Sequence, residues 1–492
     1  MIKNLIIGAG PAGIQMGHFF HGKEDYLIVE KGSTPCDFFK EFPRQRRFIS
    51  INKSKSLKYD WNSFIGSSKS LRDYTEAVYP SADKYLEYVN DFVRDNNTNI
   101  RFGFEVTKIE KLDGVFIIND GELKAERVFF GTGLKPKKIP KISTAKGIKM
   151  FTYGNMPLDP EVYRDKVVHI IGTGNAALET ADYVESWSDS TEIWGNERKA
   201  WTTHYPCHLR SVNFRAIDSY HLKARTVFHF GEDDGNFFES NKFNIELRSI
   251  LEGSYPPEMA NKLVVIWCTG FEFDSHLVKD LVLVDKFPVL TCNFESTKCP
   301  GLFFIGALTQ HHDYKKGTSA FIHGFRYNCE YLYKYLTNNI KYVIIRDSEQ
   351  LTSRVFNQLN NSSALFHRFD QFCDLIGISE DGFHYIHEIP IQAVEQYVNP
   401  KWLKYFTVKL GYTNKFAETI RQTIAILPRK AYATKFIHPI IQYNSLVFHI
   451  PEEALNEFNH PEFHRKPFVI YLAHIMDHLT LDEVKMHINQ LS

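Results

Sequence analysis

Lys3-Asn-Leu-Ile-Ile-Gly8-Ala-Gly10-Pro-Ala-Gly13 stands at the head of the chain and decides the fold. Lys3 to Ile7 is a short apolar run fit for a buried parallel strand, and the glycines follow it directly, opening a helix of small and apolar residues through Phe20. Tyr26-Leu-Ile-Val-Glu30 then reads as a second strand that ends on an acid. Strand, glycine turn, helix, strand and acid in that order form a dinucleotide-binding unit. Gly8 permits the tight turn, Gly10 lets a pyrophosphate approach the backbone, and Gly13 lets the helix pack on the strand. Glu30 is suited to accept hydrogen bonds from a ribose 2′-OH. The expected cofactor contacts here are Gly8, Ala9, Gly10, Pro11, Ala12, Gly13, Glu30 and Lys31.

A second unit of the same kind begins at Val167-Val-His-Ile-Ile171 and Gly172-Thr-Gly174-Asn-Ala-Ala177, with a helix from Leu178 to Val184 and a strand around Thr191 to Trp194. Gly172, Thr173, Gly174, Asn175 and Ala177 are its expected contacts. Two such sites imply two nucleotides. The first suits the ADP half of FAD, and the second suits NAD(P)H, whose nicotinamide has to reach the flavin. Where an NAD ribose would want an acid, the chain runs Gly195-Asn-Glu-Arg198-Lys199, and Arg198 is suited to a 2′-phosphate. NADPH is therefore the expected donor, with NADH kept open by Glu197.

Val128-Phe-Phe-Gly131-Thr132-Gly133 and Val264-Val-Ile-Trp-Cys-Thr269-Gly270 are strands ending in Thr-Gly, expected where the chain crosses between two nucleotide domains. Pro300-Gly-Leu-Phe-Phe-Ile-Gly306 is a further strand with a glycine end, and the segment Gly317 to Gly324 begins a helix whose N–H groups suit the electron-rich pyrimidine edge of a flavin. Arg44, Val106, Thr132, Gly133, Thr269, Gly270 and Gly306 complete the expected cofactor contacts. The fold class is α/β: two Rossmann-like dinucleotide-binding domains with the FAD domain discontinuous, plus a mainly helical C-terminal domain. The expected ranges are 1–150 and 268–337 for FAD, 151–267 for NAD(P), and 338–492 for the helical part. A final helix should open at Thr480, capped with Glu483 three residues on.

With 492 residues and 58 basic against 58 acidic side chains, the formal charge is zero, which argues against a nucleic-acid partner. No apolar run approaches the roughly 18 residues a membrane span requires. The chain enters a strand at once, leaving no room for a secretion signal, so a cytoplasmic location is expected. Seven cysteines, an odd number without a CxxC pair, fit neither a disulfide framework nor a zinc ribbon. The expected partners are a small-molecule substrate and O2, with a homo-oligomer left possible by the sequence.

On these motifs the chain resembles the two-dinucleotide-domain flavoproteins, and among them the flavin-containing monooxygenases. A closer resemblance is to the FAD-dependent oxidoreductase domain-containing family, which includes an endoplasmic-reticulum degradation flavoprotein and bacterial relatives. It is carried by Phe42-Pro-Arg-Gln-Arg-Arg-Phe-Ile-Ser-Ile-Asn-Lys53, Tyr59-Asp-Trp-Asn-Ser63, Trp201-Thr-Thr-His-Tyr205, His311-His-Asp-Tyr314 and Phe321-Ile-His-Gly-Phe-Arg-Tyr327. Phe436-Ile-His-Pro439 extends it into the C-terminal part. Monooxygenases of the wider class carry a Phe-x-Gly-x-x-x-His signature before the second fingerprint. Phe151-Thr-Tyr-Gly154-Asn-Met-Pro departs from it in spacing and has no His.

The resemblance implies hydride transfer from NAD(P)H to FAD, then reaction with O2 through a C4a-(hydro)peroxyflavin and oxidation of a small amine, sulfur or aromatic substrate. That chemistry needs a dry pocket and hydrogen-bond donors rather than a nucleophile. Asn52 matches the asparagine that flavin-containing monooxygenases place beside the flavin and is the candidate catalytic residue. Arg44, Arg46 and Arg47 are candidates for FAD phosphate or an anionic substrate. His204, Cys207 and His208, like His311, His312 and Asp313, lack zinc-site spacing, so no metal is expected; His311 to Tyr314 should line the active site. A thiol–disulfide or other non-oxygenating reductase, a flavin halogenase and a catalytically silent flavin-bearing binding protein stand as alternatives.

Overall fold

The first strand, β1 (Ile2–Ile7), passes through the glycine turn into α1 (Pro11–Phe20) and returns as β2 (Tyr26–Val29). The computed structural model describes residues 1–48, 52, 60–139, 141, 145–196, 211–231, 249–253, 256–278, 281–314, 316–412, 427–433, 437–452 and 457–491. Next comes α2 (Ala82–Asp95), amphipathic and capped by Ser81, whose hydroxyl accepts the Lys84 N–H at 3.2 Å. It buries Tyr85, Tyr88, Val89 and Phe92. β3 (Ile100–Arg101) follows, then the antiparallel ribbon β4 (Ile109–Leu112), β5 (Val115–Ile118) and β6 (Leu123–Phe130).

β1, β2, β3 and β6 are parallel, in the order β3-β2-β1-β6. The inserted unit carries β7 (Lys149–Thr152), β8 (Val167–Ile171), α3 (Asn175–Val184), β9 (Ser190–Asn196), β10 (Thr226–Gly231) and β11 (Leu263–Trp267). These strands make a parallel sheet ordered β10-β9-β8-β11-β7. The chain leaves and re-enters the first unit through a two-residue antiparallel ribbon, Lys135–Pro136 against Phe271–Glu272. It then adds β12 (Leu302–Phe304) in parallel to the end of β6, Val128 facing Leu302. α4 (Ile322–Leu336) packs on α1.

The C-terminal part departs from the helical expectation. β13 (Val343–Ile345), α5 (Ser348–Asn361) and α6 (Ser363–His367) lead into β14 (Phe372–Ser379), β15 (Gly382–Pro390), β16 (Lys404–Gly411), β17 (His438–Tyr443) and β18 (Leu446–His449). The strands form one antiparallel sheet ordered β13-β15-β14-β16-β17-β18. Asp381-Gly382, where the turn after β14 enters β15, is a hairpin signal, with Gly382 at φ +127°. The first six residues of β14 are all buried, so the alternation that marks a one-sided strand is missing. Helices close the chain: α7 (Lys466–Ile475) and α8 (Leu481–Asn489), the latter opened by the Thr480–Glu483 capping box that the sequence predicts.

One hydrophobic core runs without interruption from the first sheet into the C-terminal sheet, taking in Leu5, Phe129, Leu332, Phe356, Leu375 and Ile475. The inserted unit has separate clusters, to which Phe42 is joined from the first segment. Within β14, Gly377 lies flat beneath the Trp402 indole, and a Cβ there would collide with the ring. Gly377→Ala should therefore cost about 1–3 kcal/mol by overpacking. A urea midpoint that falls at unchanged m-value checks this, and an unshifted midpoint would show that the indole has room to move.

Candidate active site

The first turn is built by backbone contact. Gly8 sits at φ +104°, and a Cβ on it would lie 2.8 Å from the Gly131 carbonyl oxygen. A Cβ on Gly13 would collide with the Gly8 carbonyl oxygen. Gly10 is different: it is the N-cap of α1, has no side-chain cap, and a Cβ on it would meet nothing within 4 Å. The helix thus presents its first-turn N–H groups beside an open space, the environment a pyrophosphate requires. Pro11 holds the first helical position and Ala12 is buried behind it.

Glu30 braces this turn. Its carboxylate accepts the Ala9 N–H at 2.7 Å and the Gly32 N–H at 2.8 Å, leaving a lone pair on each oxygen for further donors. The Glu30 carbonyl accepts the Phe104 N–H at 2.9 Å; Val106, two residues on, is buried, while Lys31 is exposed. Thr132 is exposed next to Gly131, followed by Gly133 at φ +68°. Gly306, at φ +69°, packs against Ala12.

The second turn repeats the pattern. Gly172 is at φ +126°, with no room for a Cβ against the Cys268 carbonyl, and Gly174 is an uncapped N-cap with open space where its Cβ would stand. Ala177 is fully buried in the third position, and Thr173 fits under Gly195, where any side chain would strike it. Asn175 begins α3 and is partly buried. Thr269 and Gly270 follow β11, Gly270 at φ +96°. Arg198 and Lys199 lie outside the described residues, as do His204, Cys207 and His208.

Asn52 is 3 % exposed, and its side-chain NH2 is buried without a hydrogen-bond partner. Its side-chain oxygen faces the Asn62 amide at 3.5 Å, and its backbone N–H bonds the Val78 carbonyl at 2.8 Å. Beside it, Asp60 accepts the Asn62 and Ser63 backbone N–H groups at 2.8 Å each, fixing the 60–63 turn. Trp61, whose indole N–H is also buried without a partner, packs on His323 at 4.3 Å between ring centroids and on His367 at 5.5 Å. His367 belongs to the C-terminal part, so that part reaches the neighbourhood of Asn52. The sequence motifs include Trp61 and His323 but nominate neither, and no local pattern marks His367.

The arginines make the following protein contacts. Arg44 donates from its guanidinium to the Met156 carbonyl at 2.7 Å and from its backbone to the Tyr153 hydroxyl at 3.2 Å, joining the first segment to the inserted unit. Arg46 donates to the Phe39 carbonyl at 2.7 Å and pairs with Asp83 at 2.5 Å; Arg47 is exposed. Asp313 forms a buried ion pair with Arg368 at 2.7 Å, and His312 bonds the Thr291 carbonyl, its pKa pushed down to about 4 chiefly by burial. Among the described residues no group of His, Cys, Asp and Glu is arranged to hold a metal, and no helix is long and apolar enough to cross a membrane.

These two glycine turns at the ends of two parallel sheets define a class. Residues 5–306 match the model of the pyridine nucleotide-disulphide oxidoreductase family, and the chain belongs to that family. The resemblance read from the sequence extends over 96% of the chain: it is 27% identical to FAD-dependent oxidoreductase domain-containing protein 2 of Mus musculus, covering 84% of that protein, and 25% identical to that of Danio rerio, covering 83%. The protein is thus of the FAD-dependent oxidoreductase class. Solved structures similar to it include a flavin-containing monooxygenase from Stenotrophomonas maltophilia (TM-score 0.47, 16% identity, 68% of this chain and 98% of that one). A bacillithiol disulfide reductase from Staphylococcus aureus is also similar (TM-score 0.49, 16% identity, the same coverage).

Two outcomes follow from this geometry. A Cβ at Gly10 meets no protein atom within 4 Å, so Gly10→Val should fold as wild type yet purify without FAD. Stoichiometric flavin absorbance in the purified variant would remove this site from FAD binding. Glu179, on α3, has its pKa raised to about 7, mainly by burial, with the Tyr153 hydroxyl 3.4 Å away. The unfolded chain ionises it near pH 4.5, so its burial lowers stability as pH rises from 4.5 through 7. Glu179→Gln should thus stabilise the protein at pH 8 by up to about 3 kcal/mol and change little at pH 4 to 5. Melting curves at both pH values decide it.

Proposed function

We propose that this chain is an NADPH-dependent flavin monooxygenase, holding FAD at the first glycine turn and NADPH at the second, that uses O2 to oxidise a small amine, sulfur or aromatic substrate. Bound FAD would supply the two-electron relay between NADPH and O2. The open spaces at Gly10 and Gly174, the two uncapped helix ends and the orphaned Asn52 amide fit the residues to such a group. Gly10 and α1 would bind the pyrophosphate, Glu30 the ribose, and Arg198 the 2′-phosphate of NADPH.

The observation that carries the oxygenase reading over a dithiol one is the state of the cysteines. Cys36, Cys268, Cys292, Cys299, Cys329 and Cys373 are all unpaired, and burial raises every one of their thiol pKa values, Cys268 and Cys329 to about 12. Any redox pair needs at least one of these six, and such thiols make poor thiolates. Electrons leaving the flavin then go to a diffusible acceptor. A non-oxygenating reductase is the second reading, favoured by the missing His after Phe151 and Gly154.

Asn52 would act as the donor that holds reactive oxygen at the flavin until substrate arrives. Asn52→Asp keeps the size, removes the NH2 donor and sets a carboxylate beside an electron-rich centre. One lost hydrogen bond of about 1–3 kcal/mol amounts to roughly a 5- to 150-fold faster loss of oxygen to the side reaction. The measurements are O2 uptake and H2O2 released per NADPH oxidised, by wild type and variant, together with the rate of flavin reduction. H2O2 per NADPH should rise in the variant while flavin reduction changes little. Wild-type turnover that reduces an added acceptor without O2 uptake would replace the monooxygenase with the reductase.

A further inference from the structure

α4 begins at Ile322 with Phe321 as its N-cap, a residue whose side chain has no acceptor to offer. The segment leading into it is held instead by one carboxylate. Asp313 accepts the Ser319 N–H at 3.0 Å and the Arg368 guanidinium at 2.7 Å on the same oxygen. Gly317 passes so close beneath that carboxylate that any Cβ would strike it. The guanidinium also donates to the Thr318 hydroxyl at 3.2 Å.

The hydrogen bonds continue toward the first glycine turn. Asn328, on α4, donates from its amide to the Ser319 hydroxyl at 3.0 Å and to the Thr309 hydroxyl at 2.9 Å, and Thr309 donates to the Gly306 carbonyl at 2.7 Å. Gly306 in turn packs on Ala12 of α1. Thr309, Asp313, Ser319, Asn328 and Arg368 are all at most 1 % exposed. A continuous buried run therefore joins the loop beside α1 to Arg368, a residue of the C-terminal part that follows α6. Here the low local dielectric makes each charge count, and an unpaired carboxylate would be costly.

We propose that Arg368 is a positioning residue for the flavin: by neutralising Asp313 and fixing the Gly317–Phe321 segment, it sets the electrostatic field that the first turn of α4 presents to bound FAD. This rests on the reading above that FAD binds at α1 with its pyrimidine edge toward α4. Two-electron reduction adds negative charge to the flavin. A carboxylate left without its guanidinium opposes that change, and the pair together does not.

The test uses the full chain loaded with FAD. Wild type, Arg368→Met, Arg368→Lys, Asp313→Asn and the double variant Arg368→Met/Asp313→Asn are compared for FAD content, then titrated by dye equilibration for the flavin midpoint potential. Arg368→Met should disfavour reduction by about tenfold, the order expected for one unpaired charge at an effective dielectric near 20, which is about 30 mV for two electrons. Arg368→Lys should lie between it and wild type. The double variant, having lost both charges, should return toward the wild-type potential, which a merely loosened structure would not do. An FAD-loaded Arg368→Met at the wild-type potential overturns the proposal alone, as does a double variant shifted as far as the single one. Should Arg368→Met not fold, Asp313→Asn decides the same question: its unpaired Arg368 should favour reduction by about tenfold and the double variant should cancel that shift, whereas equal potentials in the two overturn the proposal. A wild-type chain that takes up no added FAD overturns the site reading itself, a result told apart by the absence of flavin absorbance.

Discussion

The structure depends on one close approach: the Cα of Gly13 against the carbonyl oxygen of Gly8. A helix can begin immediately after a buried strand only if its first turn lies almost on the strand's backbone, and no side chain fits between them. Everything the site needs follows from that contact. It brings the N-terminus of α1 to the carboxyl end of the sheet, leaves Gly10 facing open space, and puts the Ala9 N–H within reach of Glu30. The inserted unit makes the same turn with a buried alanine, Ala177, in the third position. Gly172 nevertheless retains the left-handed backbone and the collision course with the Cys268 carbonyl.

The C-terminal sheet is part of this arrangement rather than an addition to it. Its apolar faces belong to the same core as β1 and β6, so the two cannot separate without exposing both. On the polar side the connection is more specific. Arg326, on α4, reaches the Ser63 carbonyl and lies 3.2 Å from the His367 ring nitrogen, and Arg368, the next residue, pairs with Asp313. Two adjacent residues of the C-terminal part thus bracket the helix that enters the site. Buried charges of this kind add little net stability against an apolar alternative, and their value lies in holding one geometry.

How much of this was legible in the sequence follows from the range of the interactions. The two glycine turns were readable because strand, turn and helix are neighbours in the chain, and steric need at Gly8, Gly13 and Gly172 selects a residue type directly. The Thr480 cap was readable for the same reason. The C-terminal sheet was not, because β14 is covered on both faces and shows no alternation. Arg44 is a phosphate candidate by its type alone, and its bond to the Met156 carbonyl, 112 residues away, carries no local pattern. Asp313 and Arg368, separated by 55 residues, carry no shared pattern that a single sequence reveals. Asn52 is a candidate only through a resemblance, and its unpaired buried amide is a feature that exists in three dimensions alone.

The inserted unit is held by contacts of another kind. Its own core is separate, and Phe42 of the first segment joins it, meeting Tyr153 at 5.7 Å and Phe271 at 5.9 Å between ring centroids. To this are added the two Arg44 hydrogen bonds and the short ribbon between Lys135–Pro136 and Phe271–Glu272. An aromatic cluster of this size contributes about 0.5–1.5 kcal/mol per pair beyond area, far less than the continuous core that binds the C-terminal sheet to the first. The Arg44 bonds run to a backbone carbonyl and a tyrosine hydroxyl, groups that water satisfies nearly as well once exposed. Of the two junctions, the one carrying the second glycine turn is therefore the cheaper to open, while the one carrying Arg368 and His367 is fixed. Any relative movement in this molecule is therefore least costly at the inserted unit, and the C-terminal sheet stays with the first one.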